Sequence, residues 1–430
     1  MRFYIICVKG CENMRKYDLI VAGGGLSGVS AAISAAREGL KVLIIEKSGC
    51  LGGAATNNLV MPFMPYWTET DNNKKLYLSK GIFKEIVEEL KARNSRANDT
   101  LFCEEDLKIV LNRMILNEKV DMLFHSYLFG AVKDSDVIKA VKVANKSGIQ
   151  EYEASFFIDA TGDADLSVLC GCPTKLGRES DNLCQPMTLC FRMINVDIDK
   201  FNEERRTINP LYKKWQKEGK IKNVREDVLI FHTIIDGMLH FNSTRIVKRN
   251  PVDAIDLSLA EIEAREQVDE LVYFLKTNFE AFKNSSLIMT APEIGVRESR
   301  MIDGEYVLKI EDLLSCRKFD DRIAASNYDI DIHNPEGSGT SHHYFEKGTY
   351  YTIPYRSLVP KAANNLLVAG RCISSNHEAQ ASYRIMPVCS ALGEAAGIAA
   401  MLAVKNKTSN KGIDVKELQT LLTNNGAFIG

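Results

Sequence analysis

Residues 17–46 read YDLIVAGGGLSGVSAAISAAREGLKVLIIE, and this stretch decides the fold. Its first six residues are an apolar run that predicts a buried strand, and its last six residues predict a second one. Between them, Gly23, Gly25 and Gly28 fit the pattern G-x-G-x-x-G at the start of a helix. Glu46 closes the second strand 21 positions after Gly25. This spacing is typical of a strand, glycine turn, helix and strand that bind a dinucleotide.

Each residue type in this turn has a physical role. Gly23 permits the tight turn, Gly25 lets the backbone approach a pyrophosphate, and Gly28 lets the helix pack closely on the strand. The free N–H groups and the positive dipole at the start of the helix, around Leu26 and Ser27, favour a phosphate group. We expect the acid that closes the second strand to accept hydrogen bonds from ribose hydroxyls. A glycine-rich turn without a ligand is the alternative.

A second glycine turn follows at once, because residues 47–56 read KSGCLGGAAT. Farther along the chain, residues 120–133, 137–146 and 149–158 predict three strands. The third of these strands runs into Ala-Thr-Gly, whose small residues would allow a cofactor to approach closely.

A later strand, over residues 365–371, ends in Gly-Arg, and a predicted helix over residues 388–405 follows after a turn. Pro387 suits the first turn of that helix. The positive end of the dipole at such a helix N-terminus favours negative charge on a ligand.

Taken together, the two glycine turns, the strand that ends in Ala-Thr-Gly and the strand that ends in Gly-Arg resemble the FAD-binding proteins of the glutathione reductase superfamily. Residues 295–300, GVRESR, and residues 382–387, SYRIMP, narrow the resemblance to the bacterial FAD-dependent oxidoreductase family. That family is related to the flavoproteins of fumarate reductase and succinate dehydrogenase. The resemblance extends over about residues 17–175 and 288–405 and does not cover the middle of the chain.

The resemblance implies FAD as the cofactor. Residues 47–58 contain no histidine for a covalent link, so we expect the FAD to be bound non-covalently. Cys50 has no partner cysteine five residues later, where Ala55 stands, so the redox disulfide of the superfamily's disulfide reductases is missing. The residues implied to hold FAD are Gly23, Gly25, Leu26, Ser27, Gly28, Glu46, Lys47, Gly52, Gly53, Ala54, Thr56, Ala160, Thr161, Gly162, Gly370, Arg371, Pro387 and Ala391.

The predicted fold class is α/β, with a Rossmann-type FAD-binding domain that combines a parallel sheet with a three-stranded antiparallel meander. We expect this domain to be discontinuous, over residues 14–175 and 350–410. An inserted α+β substrate or cap domain is expected over residues 176–349, with a long amphipathic helix at about residues 251–284. The predicted apolar side of this helix comprises Ile255, Leu259, Ile262, Ala264, Val268, Leu271 and Leu275. Residues 1–13 are expected to be an extension and residues 411–430 a peripheral segment.

Composition narrows the partners and the compartment. The formal net charge of the 430 residues is −2, which gives no reason to expect nucleic acid or an anionic membrane as a partner. The eleven cysteines are scattered and odd in number, so we expect reduced thiols and a cytoplasmic protein. The spacing of the His and Cys residues does not match that of a metal site, so no metal is expected.

Candidate catalytic residues lie between the Gly370 strand and the Pro387 helix. His377 is suited to moving a proton that accompanies hydride transfer, and Arg384 to binding a substrate carboxylate or stabilising a reduced flavin. A structural hydrogen bond for His377 and a structural ion pair for Arg384 are the alternatives.

Residues Arg297, Glu298 and Arg300 form a second charged group. We expect them to belong to a network of ion pairs between domains, with a substrate anchor as the alternative.

The sequence therefore predicts an FAD-dependent oxidoreductase that transfers a hydride between FAD and a small organic substrate. A separate electron donor or acceptor is a further expected partner, because no second glycine motif for NAD(P)H is present. An FAD-dependent RNA-modifying enzyme and a non-catalytic flavin-binding protein on the same fold are the alternatives.

Overall fold

A computed structural model describes residues 16–70 and 72–430 of the chain. The extension expected over residues 1–13 lies outside the described residues. The strands are β1 (Lys16–Ala22), β2 (Val42–Ile45), β3 (Trp67–Glu69), β4 (Lys75–Tyr77), β5 (Asp121–Leu123), β6 (Tyr127–Asp134), β7 (Val137–Asn145), β8 (Gly148–Asp159), β9 (Thr174–Leu176), β10 (Phe191–Ile194), β11 (Ile230–His232), β12 (Leu239–Phe241), β13 (Ser286–Thr290), β14 (Arg300–Ile302), β15 (Arg322–Ser326), β16 (Ile330–His333), β17 (Thr340–His343), β18 (Tyr351–Pro354) and β19 (Leu366–Val368). The α-helices are α1 (Leu26–Arg37), α2 (Ile82–Arg93), α3 (Glu104–Asn117), α4 (Asp165–Leu169), α5 (Ile198–Lys217), α6 (Ala254–Asn278), α7 (Ile310–Leu314), α8 (His377–Tyr383), α9 (Met386–Asn406) and α10 (Val415–Asn424).

The largest sheet is built on parallel strands in the order β5-β2-β1-β8-β19. Strands β1 and β2 are almost wholly buried, which explains their continuous apolar runs. Helix α1 connects them, as the sequence predicts. Because the strands are parallel, the carboxyl ends of β1, β2, β8 and β19 meet at one edge of the sheet, where ligands bind in such folds.

Strands β6, β7 and β8 form the predicted antiparallel meander, and the fold class is α/β. The prediction of a single strand over residues 120–133 is wrong, because the segment divides into β5 in the parallel sheet and β6 in the meander. The chain breaks at His125, whose φ is 50°. Its backbone N–H donates to the carbonyl of Ser48, and that of Ser126 donates to the carbonyl of Glu46. These contacts with the end of β2 turn the chain between the two strands.

A second sheet, which we call the cap sheet, has the antiparallel order β11-β12-β10-β13 and packs with α5 and α6. The predicted apolar face of α6 is correct in part, because Ala264, Val268, Leu271 and Leu275 are buried. It is wrong for the first turns, where the side chains that the prediction placed in the core are exposed. In these turns Ala260 is buried instead. The exposed residues are Ile255, Leu259 and Ile262.

The buried apolar residues divide into three clusters. One cluster forms the core of the cap sheet and consists of residues between 187 and 296, together with Leu59. The largest surrounds α1 and α9 and includes buried residues between 302 and 330. It also includes Leu418 and Leu422 of α10, in the segment expected to be peripheral. The division of domains at residues 176 and 349 stays a prediction.

Helix α9 lies against α1 and brings the C-terminal part of the chain to the first glycine turn. A Cβ at Gly393 would lie 1.9 Å from the carbonyl oxygen of Ser27, so only glycine allows this approach. The hydroxyls of Ser30 and Ser390 are 2.6 Å apart. By length and composition α9 could cross a membrane, but 94% of its most apolar window is buried inside the protein.

Candidate active site

The first glycine turn has the geometry that its sequence predicts. Gly23 has a φ of 100°, and a Cβ there would lie 2.4 Å from the carbonyl oxygen of Ala160. A Cβ at Gly28 would lie 1.9 Å from the carbonyl oxygen of Gly23. Both glycines are therefore required by the protein itself. The Ala-Thr-Gly end of β8 packs directly on this turn, because the Ala160 N–H donates to the carbonyl of Ala22.

Gly25 differs from these two glycines because no described residue excludes a side chain there. A Cβ at Gly25 would meet only the Cα of Gly53, at 3.9 Å. The second glycine turn lies opposite, joined by a hydrogen bond of 2.8 Å from the Gly52 N–H to the Gly24 carbonyl. The nearby Ser27 hydroxyl is buried without a hydrogen-bond partner in the described part of the chain. An open space between two glycine turns, next to an unsatisfied hydroxyl, fits the pyrophosphate of a dinucleotide.

Glu46 is buried at the end of β2 and pairs with no cation among residues 16–70 and 72–430. Its two carboxylate oxygens accept hydrogen bonds from the backbone N–H groups of Gly24, at 2.6 Å, and Ser48, at 2.8 Å. Each oxygen can accept a second bond, so the carboxylate can still hold ribose hydroxyls. Lys47, the next residue, forms an ion pair of 3.1 Å with Glu293.

Other predicted FAD contacts are occupied by contacts within the protein. The Thr56 hydroxyl donates to the carbonyl of Leu51 at 2.8 Å and so closes the second glycine turn. The Thr161 hydroxyl donates to Asp159 at 2.7 Å. The Arg371 guanidinium pairs with Asp163 and lies beside Gly162. Ala54 accepts the N–H of Val60 through its carbonyl. The contact of these residues with FAD stays a prediction.

The start of α9 lies close to the first glycine turn. Gly370, at the end of β19, has a φ of 100°, and a Cβ there would lie 3.4 Å from Ser27. Helix α9 begins with Ile385 at its N-cap and Pro387 in its first turn, and no side chain caps it. Its first free N–H groups are therefore available to a ligand. Ala391 lies one turn farther along and is buried.

His377 is held by a buried acid. Its Nδ1 lies 2.8 Å from Oε1 of Glu298, whose other oxygen accepts the N–H of Gln185 at 2.8 Å. Because the carboxylate can only accept, Nδ1 carries the proton and Nε2 is the atom left for other chemistry. Within the described residues Nε2 has no hydrogen-bond partner. A cavity of about 440 Å³ lies beside this side chain, lined also by Arg178, Asn334 and Thr340.

Arg384 lies at the end of α8, next to the start of α9. Its Nη2 is 3.6 Å from Oδ2 of Asp331, and its Nε is buried without a partner in the described chain. The same Asp331 oxygen is 3.2 Å from Nε2 of His333. The other nitrogen, Nδ1, faces the Arg245 guanidinium at 3.2 Å and must accept from it, so Nε2 donates to Asp331. Burial, and then the nearby charge of Arg297, lowers the pKa of His333 to about 3, which agrees with this neutral form.

The three charged residues 297–300 do not act as one network. Arg300 pairs with Asp165, as expected for a structural contact, and Glu298 pairs with His377. Arg297 is different, because none of its contacts in the described residues is with a carboxylate. It donates to the Pro186 carbonyl at 2.7 Å, to the Thr188 hydroxyl and to Asn242 Oδ1 at 3.2 Å. The ion-pair prediction is therefore wrong for Arg297.

The sequence analysis missed a polar face of the cap sheet. Arg192 and His240 are directly opposite each other on β10 and β12, and their neighbours Phe191 and Phe241 stack on the other face at 4.5 Å. Both ring nitrogens of His240 are buried without a partner in the described residues. Burial lowers the pKa of His240 to about 3, so it is neutral. The alternation Leu239-His240-Phe241-Asn242 was the available signal for this face.

The fold and these glycine turns define a dinucleotide-binding α/β protein, and comparison with known proteins identifies its family. The chain matches the FAD dependent oxidoreductase family over residues 18–422 and belongs to it. Its cofactor is FAD.

Individual relatives are more distant. The digeranylgeranylglycerophospholipid reductase of Picrophilus torridus is 28% identical over 197 residues, which are 43% of this chain and 48% of that protein. The dihydrolipoamide dehydrogenase of Chaetomium thermophilum is 35% identical over 91 residues, which are 21% of this chain and 16% of that protein. The matched segments thus cover about half, or less, of the length of these relatives. A solved structure of a geranylgeranyl bacteriochlorophyll reductase-like protein from Thermoplasma acidophilum has a TM-score of 0.48 at 13% identity, covering 96% of this chain and 84% of that chain.

Proposed function

We propose that this chain transfers a hydride between a small organic substrate and non-covalently bound FAD, with His377 and Arg384 beside the reacting atoms. The observation that carries the proposal is the 2.8 Å contact between His377 and the buried Glu298. It fixes an imidazole at the start of α8, in the segment that leads from β19 to the N-terminus of α9. An acid that orients a histidine in this way is a common arrangement in general acid–base catalysis.

The residues at this site have separate roles. When bound, FAD supplies two-electron redox chemistry at flavin N5. Nε2 of His377 takes or gives the proton that accompanies oxidation or reduction of the substrate, while Glu298 keeps the imidazole oriented. Arg384 and the free N–H groups at the start of α9 provide positive charge for an anionic group of the substrate or for the reduced ring.

The residues predicted to hold FAD support the non-covalent part of the proposal. The space at Gly25, the hydroxyl of Ser27 and the carboxylate of Glu46 are available to the pyrophosphate and the ribose. Denaturation with acid or heat should therefore release intact FAD into the supernatant. Flavin that stays attached to the precipitated protein would overturn this part.

The same proposal includes a small-molecule substrate, a separate electron donor or acceptor, and a cytoplasmic location. All nine of the described cysteines are free thiols, which supports a reducing compartment.

The catalytic part is tested by anaerobic mixing of the FAD-loaded protein with hydroxy acids, sugars, amines and steroids, with NADH and NADPH as controls. We expect one organic class to bleach the flavin. With that substrate, His377→Gln should slow flavin reduction by about 10²–10⁴-fold while FAD affinity stays the same. Glu298→Gln should change the pH profile of reduction, because Glu298 acts through His377. The exposed Arg205→Met is the control. If the substrate reduces the flavin of His377→Gln at the wild-type rate, His377 does not move the proton.

A further inference from the structure

We propose that the substrate is a small carboxylate with a second hydrogen-bonding group, and that Arg297, in the loop that follows the cap sheet, binds its carboxylate together with Arg384. The inference rests on the proposed function and gives it a substrate class. It starts from the surplus of positive charge between the cap sheet and the start of α9.

Four arginines come together here, and three of them have an acid. Arg225 is 2.9 Å from Asp227, Arg245 pairs with Glu226, and Arg384 is 3.6 Å from Asp331. Asp331 is shared with His333, and Glu298 is already engaged by His377. Of these four arginines, Arg297 is therefore the one without a carboxylate partner in the part of the chain that the structure describes.

The contacts of Arg297 hold it in place and do not neutralise it. Its acceptors are a carbonyl, a hydroxyl and a side-chain amide, all of them uncharged. Burial and then the neighbouring charges of Arg384 and Arg225 lower the pKa of Arg297 to about 9, so it still carries its charge at neutral pH. The side chain remains partly accessible. A planar guanidinium that is held by neutral groups, next to a second one, is suited to a carboxylate.

His240 indicates what else the ligand carries. It lies on β12 directly opposite Arg192 and two residues before Asn242, whose Oδ1 accepts a hydrogen bond from Arg297. Its ring is neutral, and both of its nitrogens are unsatisfied in the described chain. Leaving a buried polar group unpaired costs about 1–3 kcal/mol, which a ligand with a hydroxyl, oxo or second carboxyl group would recover.

The test uses the full-length FAD-loaded protein and small probes that cannot give up a hydride readily. Malonate carries a carboxylate and a second polar group, malonamide is its uncharged analogue, and acetate lacks the second group. Binding is followed by the change in the flavin absorbance spectrum at constant ionic strength. We expect malonate to bind at least tenfold more tightly than malonamide.

Variants test which side chains bind malonate. Arg297→Met should weaken malonate binding at least tenfold, Arg297→Lys should weaken it less, and Arg205→Met should leave it unchanged. His240→Phe should weaken the binding of malonate more than that of acetate. Equal affinities for malonate and malonamide, or wild-type malonate affinity in Arg297→Met, would overturn the inference. Wild-type malonate affinity in His240→Phe would show that His240 does not bind the second hydrogen-bonding group of the ligand.

The proposed function and this inference fail in different ways. A wild-type chain that holds no FAD overturns both. A chain that is loaded with FAD and reduced by an organic substrate, but whose spectrum no carboxylate changes, overturns this inference and leaves the proposed function standing.

Discussion

Arg192 and Arg297 belong to the same part of the chain, but among residues 16–70 and 72–430 only Arg192 has a carboxylate counterion. Arg192 on β10 makes two hydrogen bonds of 2.6 Å with Glu104 at the start of α3, and both side chains are 4% exposed. Arg297 is held by neutral groups and remains partly accessible. The comparison separates a charge that joins the cap sheet to the rest of the protein from a charge that is open to a ligand.

The physical reason lies in the cost of removing a charge from water. A buried ion pair recovers that cost only when its partners match in geometry, and breaking it leaves one charge uncompensated. A charge without an internal partner carries the cost until a ligand arrives. We therefore expect removal of Arg192 to destabilise the fold and removal of Arg297 to affect ligand binding.

The largest effect is expected for Arg192→Met. This variant leaves Glu104 buried without a cation, so the free energy of unfolding in urea should fall by about 3–5 kcal/mol. The double variant Arg192→Met with Glu104→Gln should recover much of the loss, because no charge is then left unpaired. A loss below about 1 kcal/mol for the single variant would show that the pair does not join the two regions.

A buried acid without a cation offers a second test. Glu394 of α9 accepts the N–H of Ile82 at 3.2 Å, and burial raises its pKa to about 7. A raised carboxyl pKa means that the native state resists ionisation, so stability is full below about pH 4.5 and falls as pH rises through 7. Glu394→Gln should match the wild type at about pH 4 and exceed it by up to about 3 kcal/mol at pH 8.5. Parallel pH curves for the two proteins would contradict the assignment.

Glu46, in the predicted FAD site, is the acidic counterpart of Arg297. It too pairs with no cation in the described residues, and backbone N–H groups hold it. Loss of its hydrogen bonds to the ribose in Glu46→Ala should weaken FAD binding by about 1.5–3 kcal/mol. The fold should remain intact by circular dichroism. An unchanged dissociation constant for FAD would show that Glu46 serves only the turn.

The smallest effect on stability is expected for Arg297→Met. The variant removes a charge that has no internal partner, so the free energy of unfolding without ligand should stay within about 1 kcal/mol of the wild type or rise. Urea denaturation of the FAD-loaded proteins measures this directly. A loss as large as that of Arg192→Met would place Arg297 among the structural charges.

Short-range features of this chain are predictable from its sequence, and long-range ones are not. The strand, glycine turn and helix at residues 17–37 follow from apolar runs and glycine spacing within one segment. The break at His125 depends on contacts with residues 46 and 48, which no local pattern shows. The exposed face of α6 was misassigned because a helix with apolar residues on two sides does not reveal which one meets the sheet.

The candidate site likewise has features that the sequence predicts and features that it does not. His377 and Arg384 are found from their position between two recognisable elements. The acid that orients His377 is 79 residues away in the chain, and the missing acid at Arg297 is a property of the assembled structure. Whether a charged residue is paired or open to a ligand can be determined only when the segments around it are brought together.

The most direct measurement is the malonate-dependent change in the free energy of unfolding of the FAD-loaded wild type and of Arg297→Met. A ligand at one hundred times its dissociation constant stabilises the native state by about 2.7 kcal/mol. We predict a gain of this size for the wild type and for Arg205→Met. For Arg297→Met at the same malonate concentration we predict at most about 1.4 kcal/mol, because binding that is at least tenfold weaker leaves malonate at no more than about ten times the variant's dissociation constant. An equal gain in wild type and Arg297→Met would contradict the account.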